Sequence, residues 1–143
     1  MEWFEFEIEN KPFHIETRFV FQVLHEADIT PVPFVPDFYL GLTFYRGEIF
    51  DVIHIASLLT DAMNDAKIRK RTLILVKWDN KKLALAPDRV VGLVHVDAPN
   101  EEKKLLIRKV EDLNKINPEM IIDRLNKEHY GPIKVREDIH SGS

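Results

Sequence analysis

Strict alternation opens the chain. Over residues 3–9, Phe4, Phe6 and Ile8 fall on one side and Glu5, Glu7 and Glu9 on the other, the period of two that marks a half-buried strand. Asn10-Lys11-Pro12 predicts a turn, and residues 13–16 return as a second short strand. Residues 17–25 carry Phe19, Val20, Val23 and Leu24 at helical spacing, yet their Phe-Val-Phe run suits a strand equally. We read one helical turn near 17–21 and a strand over 22–26.

The next stretch organises the rest. Pro31, Pro33 and Pro36 fix φ and remove backbone donors, so this arm runs extended. Two apolar runs follow, over 38–45 and 49–55, with Arg46-Gly47 between them. Gly47 supplies the freedom a tight reversal needs, which predicts a β-hairpin. Ala56-Ser57-Leu58-Leu59 suits a short helix, and 60–70 is polar and without apolar period. Residues 71–78 form a buried-strand run, Asp79-Asn80-Lys81 turns, and Leu83, Leu85 and Ala86 return. Residues 90–96 predict a further strand, in which Gly92 marks a bulge or a close backbone approach. Leu105, Ile107 and Val110 alternate as a last strand. Asn117 caps a helix with Pro118 at its first position, and Met120, Ile121, Ile122 and Leu125 give that helix an apolar face.

Many short strands about ten residues apart, with few helices, define the fold class as mainly β: two small barrel-like lobes packed together. The expected organisation is one domain over residues 1–130. Its lobes fall at about 1–60 and 70–117, a closing helix at 118–126, and a flexible tail at 131–143.

Composition narrows the function. The chain has 143 residues, 45% apolar and 31% charged, a size and balance that suit one soluble globular domain. A net charge of −4 argues against nucleic acid, because phosphate affinity rests on clustered Lys and Arg. Without cysteine, thiolate metal sites and disulfides are excluded and a reducing compartment is allowed. The acidic N-terminus lacks the pattern of a signal peptide, and no run of about 18 apolar residues offers a membrane span. The expected location is the cytoplasm. The six histidines show no HxH, HxxxH or HExxH spacing, no serine sits in an elbow motif, and no glycine-rich phosphate loop is present. Neither enzyme chemistry nor a cofactor is expected.

The stretch from Ile29 to Ile55 resembles the signature of the CheW-like family, the coupling proteins of bacterial chemotaxis, which reads roughly I-T-P-V-P-x-x-P-x-F-I-x-G-V-I-N-L-R-G-x-I-x-P-V-I-D-L. Ile29, Thr30, Pro31, Val32, Pro33, Pro36, Phe38, Gly41, Arg46, Gly47, Ile49, Val52 and Ile53 hold that register. The block 83–93, with Asp88 and Gly92, is similar to the family's G-L-L-V-D-x-V-x-G-V segment, and N-P-E-M-I-I-D-R-L resembles its closing helix. The resemblance implies two SH3-like β-barrels and no catalytic activity. It implies docking onto the regulatory domain of the histidine kinase CheA, by exposed barrel ends, and onto the cytoplasmic tip of chemoreceptors, in the groove between lobes. Direct membrane insertion is not implied. Phe44-Tyr45 replaces the family's Asn-Leu, Asp51 its Pro, and His54 its Asp.

Candidate partner-binding residues are therefore Arg46, Tyr45, Phe44, Tyr39, Glu48 and His54. Pro31, Pro33, Pro36, Gly41, Gly47, Asp88 and Gly92 are read as structural. Arg46 has two readings, a partner contact or a support that bonds carbonyls and a carboxylate at the turn. About half of Phe38, Tyr39, Phe44 and Tyr45 should be core, and those left exposed are interface anchors. A module that binds a different signalling partner outside chemotaxis is the alternative.

Overall fold

The computed structural model describes residues 2–59, 70–96, 106–108 and 113–128. The chain runs β1 (Glu2–Ile8), β2 (Lys11–Glu16), a 3-10 turn (Thr17–Phe19), β3 (Val20–Asp28), β4 (Tyr39–Tyr45), β5 (Glu48–His54) and α1 (Ile55–Leu59). It continues through β6 (Lys70–Trp78), β7 (Lys81–Ala86), β8 (Arg89–Val96), β9 (Leu106–Arg108) and α2 (Pro118–Glu128). The fold is mainly β, as the strand spacing predicts. The connection at 60–69 and the tail at 131–143 lie outside the described residues.

Three two-residue turns set the register. Glu9-Asn10, Arg46-Gly47 and Asp79-Asn80 all have positive φ at both positions, the backbone whose twist matches a tight hairpin. The first turn falls one residue earlier than the sequence suggests: Ile8 pairs with Lys11, and Pro12 already lies in β2 opposite Glu7. Pro12 is tolerated because β2 is an edge strand of its sheet, where a missing donor breaks no ladder.

The strands form two sheets, ordered β2-β1-β8-β9 and β3-β6-β7-β5-β4. Each takes strands from both sides of residues 60–69, so the sheets do not follow the lobes drawn at about 1–60 and 70–117. The physical reason is the parallel pairing of β5 with β7. A parallel pair needs a crossover connection, and the chain from α1 through β6 supplies it.

The five-stranded sheet is apolar on both faces. Phe50, Val52, Leu73, Leu75, Ala84 and Ala86 form one buried cluster with Ile29. Ile53, Ile74, Val76, Leu83 and Leu85 turn the other way, into a second cluster with Phe4, Phe6, Ile8 and Ile15 of the first sheet and Ile116, Ile121 and Leu125 of the closing segment. That double burial explains why β6 reads as a continuous apolar run rather than an alternation. Each buried Val, Leu, Ile or Phe among them stabilises the fold by roughly 1.5–3 kcal/mol.

The proline arm closes the ring of five strands. Thr30 donates to the Leu42 carbonyl at 2.7 Å and accepts from the Leu42 amide at 2.8 Å, joining the end of β3 to the free edge of β4. Gly41 makes that approach feasible: a Cβ there would stand 2.1 Å from the Thr30 carbonyl oxygen, on a backbone with φ of 137°. The bulge expected at Gly92 is present. Glu5 pairs with Gly92 and Phe6 with Val90, leaving Val91 as the extra residue.

Candidate partner-binding site

Four of the six predicted partner residues gather where β4 turns into β5. Phe44 is 58% exposed and Arg46 is exposed, while Tyr45 and Glu48 are half-buried. The structure brings further residues to the same end of the ring. Phe21 of β3, 43% exposed, meets Tyr45 edge-on with centroids 6.0 Å apart and stacks on the buried Phe50 at 6.2 Å. Lys77 of β6 places its ammonium 4.3 Å from the Phe21 centroid. Gln22 donates to the Tyr45 hydroxyl at 3.1 Å. Phe21 and Lys77 were missed because their part depends on β3 and β6 lying side by side, which local pattern does not encode. Phe21 also sits in the stretch that reads equally as helix or strand.

The expected carboxylate partner of Arg46 is absent among the described residues. Its guanidinium instead lies over the Tyr45 ring, 5.1 Å from the centroid, an attraction of cation to π face. The nearest carboxylate along the turn is engaged elsewhere: Glu48 accepts from Lys77 at 2.8 Å and lies 3.4 Å from the Lys82 ammonium. The Lys77 hydrogen bond, with Lys82 adding to it, holds the Glu48 carboxyl below the ordinary carboxylate range. The end of the ring thus presents aromatic faces beside the Arg46 charge.

Tyr39 and His54 do not join this surface. Tyr39 is 9% exposed, and its hydroxyl donates to the Asp51 carboxylate inside the fold. Of the four aromatics, Phe38 and Tyr39 are core and Phe44 and Tyr45 reach the surface side. Half are core, but they divide by position along the chain, the first pair inside and the second at the turn, rather than by alternating face. His54 is 4% exposed. Its Nδ1 accepts from the Ser57 hydroxyl and from the Ser57 amide, the latter at 3.3 Å. That geometry is an N-cap on α1, the service an Asp gives at a helix start, and it accounts for the replacement at this position. Burial, then the positive charge of Arg71, pushes the His54 imidazole below its ordinary value, with Asp88 opposing. The ring is thereby held neutral, and the Ser57 amide donating to Nδ1 places its remaining proton on Nε2.

Asp88 ties the β7–β8 connection to the first hairpin: its carboxylate accepts from the Glu9 amide at 2.7 Å, and its own amide donates to the Glu7 carbonyl at 3.0 Å. Arg89 pairs alongside with Glu7 at 2.8 Å. Two buried ionisable residues that alternation had turned toward solvent or left unassigned meet in the first sheet. Glu5 and His14 are both inside, Oε1 to Nε2 at 2.9 Å. The Asn114 amide donates to His14 Nδ1 at 3.0 Å.

Two β-sheets sharing one apolar cluster, the second closed by the proline arm, define a small β-barrel module with exposed aromatics at one strand end. The chain belongs to the CheW-like family: the model described as "CheW-like domain" matches residues 2–129. It is 26% identical over 91 residues to a chemotaxis protein CheW of Thermotoga maritima and 30% identical over 93 residues to protein FrzA of Myxococcus xanthus, each time over 64% of this chain. The aligned stretches span only 59% and 57% of those relatives' own lengths. The fold is similar to that of the scaffolding protein TtCheW from Thermoanaerobacter tengcongensis, with a TM-score of 0.62 at 21% identity, covering 81% of this chain and 86% of the other. Among the described residues no helix is long and apolar enough to cross a membrane.

Proposed function

We propose that this chain is a non-catalytic adaptor that couples chemoreceptors to the regulatory domain of a CheA-type histidine kinase in the cytoplasm. The observation that carries the proposal is the exposed end of the five-stranded ring. Phe44 and Phe21 stand in solvent there, and the Arg46 guanidinium is engaged by no carboxylate among the described residues. Exposed aromatics beside an arginine are the composition of interface hot spots. The work is done by binding energy alone: two partners held in fixed geometry, with affinities coupled through the scaffold. Pulling the same organism's kinase regulatory domain into a calorimetric titration tests it. Saturable one-to-one binding is expected, and Arg46→Glu should weaken it by about tenfold or more while leaving the fold intact. No binding by the wild type removes the coupling role.

A second reading is a module for a different signalling partner. It is favoured by the place of two family departures, Phe44 and Tyr45, on this same surface. The titration separates the two, since only the first binds the kinase domain.

A further inference from the structure

The proline arm carries a residue that the fold does not explain. Val32 and Val35 turn inward and pack against the cluster shared by both sheets. Phe34, between them, is fully exposed at 104% and held at φ 61°. A left-handed backbone is strained for a bulky residue and comfortable for Asn or Gly. A lone phenyl ring in water gains nothing from its place. Both terms favour replacing it, so folding stability is not what Phe34 serves.

The arm around it is rigid. Pro33 precedes Phe34 and Pro36 follows two residues later, with Thr30 locked to Leu42 upstream and the Tyr39 amide bonded to the Pro36 carbonyl at 3.0 Å downstream. An aromatic ring on a stiff support binds with little ordering entropy, the property of an anchor residue. An observed strained outlier at an exposed loop is grounds for assigning function. The arm enters β4 at Tyr39, and the Arg46 turn leaves it at Tyr45. At about 3.3 Å per residue the two lie about 20 Å apart, at opposite ends of one strand.

We infer that Phe34 is the anchor of a second docking surface, inserted into an apolar pocket of the chemoreceptor cytoplasmic tip, the kinase regulatory domain being taken at the Arg46 end. This rests on the adaptor role proposed above for the identity of its partners. The occupant is a protein rather than an anionic bilayer. The chain carries net charge −4, Asp37 is exposed on the same arm, and neither favours a negative surface. Two opposed surfaces on one rigid strand are what an adaptor with two partners requires.

The test is a pair of titrations of wild type, Phe34→Asn and Arg46→Glu, one against the kinase regulatory domain and one against a chemoreceptor cytoplasmic tip of the same organism. Phe34→Asn keeps the left-handed backbone and removes the ring. It should melt at or above the wild-type temperature, lose about tenfold or more in affinity for the chemoreceptor tip, and bind the kinase domain as before; a loss confined to the kinase domain overturns the assignment. Arg46→Glu should show the opposite selectivity. Wild-type binding that Phe34→Asn leaves unchanged for both probes overturns the anchor alone, as does a Phe34→Asn protein that unfolds. A wild type that binds neither probe overturns the adaptor role and this assignment with it. Self-association of the wild type, abolished by Phe34→Asn in sedimentation, replaces the second partner with a second copy and overturns the assignment as stated.

Discussion

At the scale of single residues, His54 and Gly41 show how local chemistry supports the fold. His54→Ala removes the acceptor that caps α1 and leaves a buried void, so a loss of about 1–3 kcal/mol is expected in denaturant unfolding. His54→Asp restores an acceptor and should recover the capping part. The same residue predicts a pH dependence. Its imidazole is held below the ordinary value in the folded state, so between that value and about 6.5 the unfolded chain binds more protons. Stability is then full above about pH 6.5 and declines as pH falls through this window. Melting curves of wild type and His54→Asp across the window check it, the variant lacking that slope. At Gly41, any Cβ meets the Thr30 carbonyl. Gly41→Ala should lose at least about 2 kcal/mol and break the Thr30–Leu42 pair, seen as fast amide exchange at Leu42.

At the scale of elements, the hairpin of β4 and β5 was legible from Arg46-Gly47 and the flanking apolar runs, down to the residues of the turn. Element ends were less so. Proline usually punctuates, so the sequence places Pro12 in a turn, and only the edge position of β2 makes it a strand residue. Alternation turns the face of β1 that carries Glu5 toward solvent. Glu5 is buried, and its carboxylate meets His14, which stands opposite it in the β1–β2 register. The role of Arg46 likewise turned on the neighbouring strand: β6 and β7 bring Lys77 and Lys82 to Glu48. At this scale we expect Arg46→Glu to leave the melting temperature within a few degrees of wild type, since an exposed cation–π contact is worth about 0.5–1 kcal/mol.

At the scale of the molecule, one polar knot joins the two ends of the described chain. His14 donates from Nε2 to Glu5 and accepts at Nδ1 from the Asn114 amide. Its own amide and carbonyl bond Asn114 and Ile116 at 2.8 and 2.7 Å. Ile116 and α2, through Ile121 and Leu125, then complete the shared cluster. His14→Ala leaves Glu5 buried without this partner, and a loss of about 3 kcal/mol or more is expected. Hydrogen exchange should localise that loss to residues 113–128 as well as to β1 and β2. Exchange confined to the first hairpin would refute the link.

The sequence by itself determined the β-rich class, the reversal at Arg46-Gly47, the extended arm, the capped closing helix and, through the register of prolines and glycines, the family. These depend on interactions within a few residues: fixed φ, left-handed turns, period of two, a capping side chain. Only the tertiary structure decided which strands share a sheet, that Tyr39 and His54 face inward, that Phe21 and Lys77 complete the surface at the ring's end, and that Phe34 stands alone in solvent. Those outcomes rest on backbone pairing and side-chain contacts between residues far apart in the chain. Strand pattern fixes which face of a segment is apolar, but not which distant segment comes to cover it.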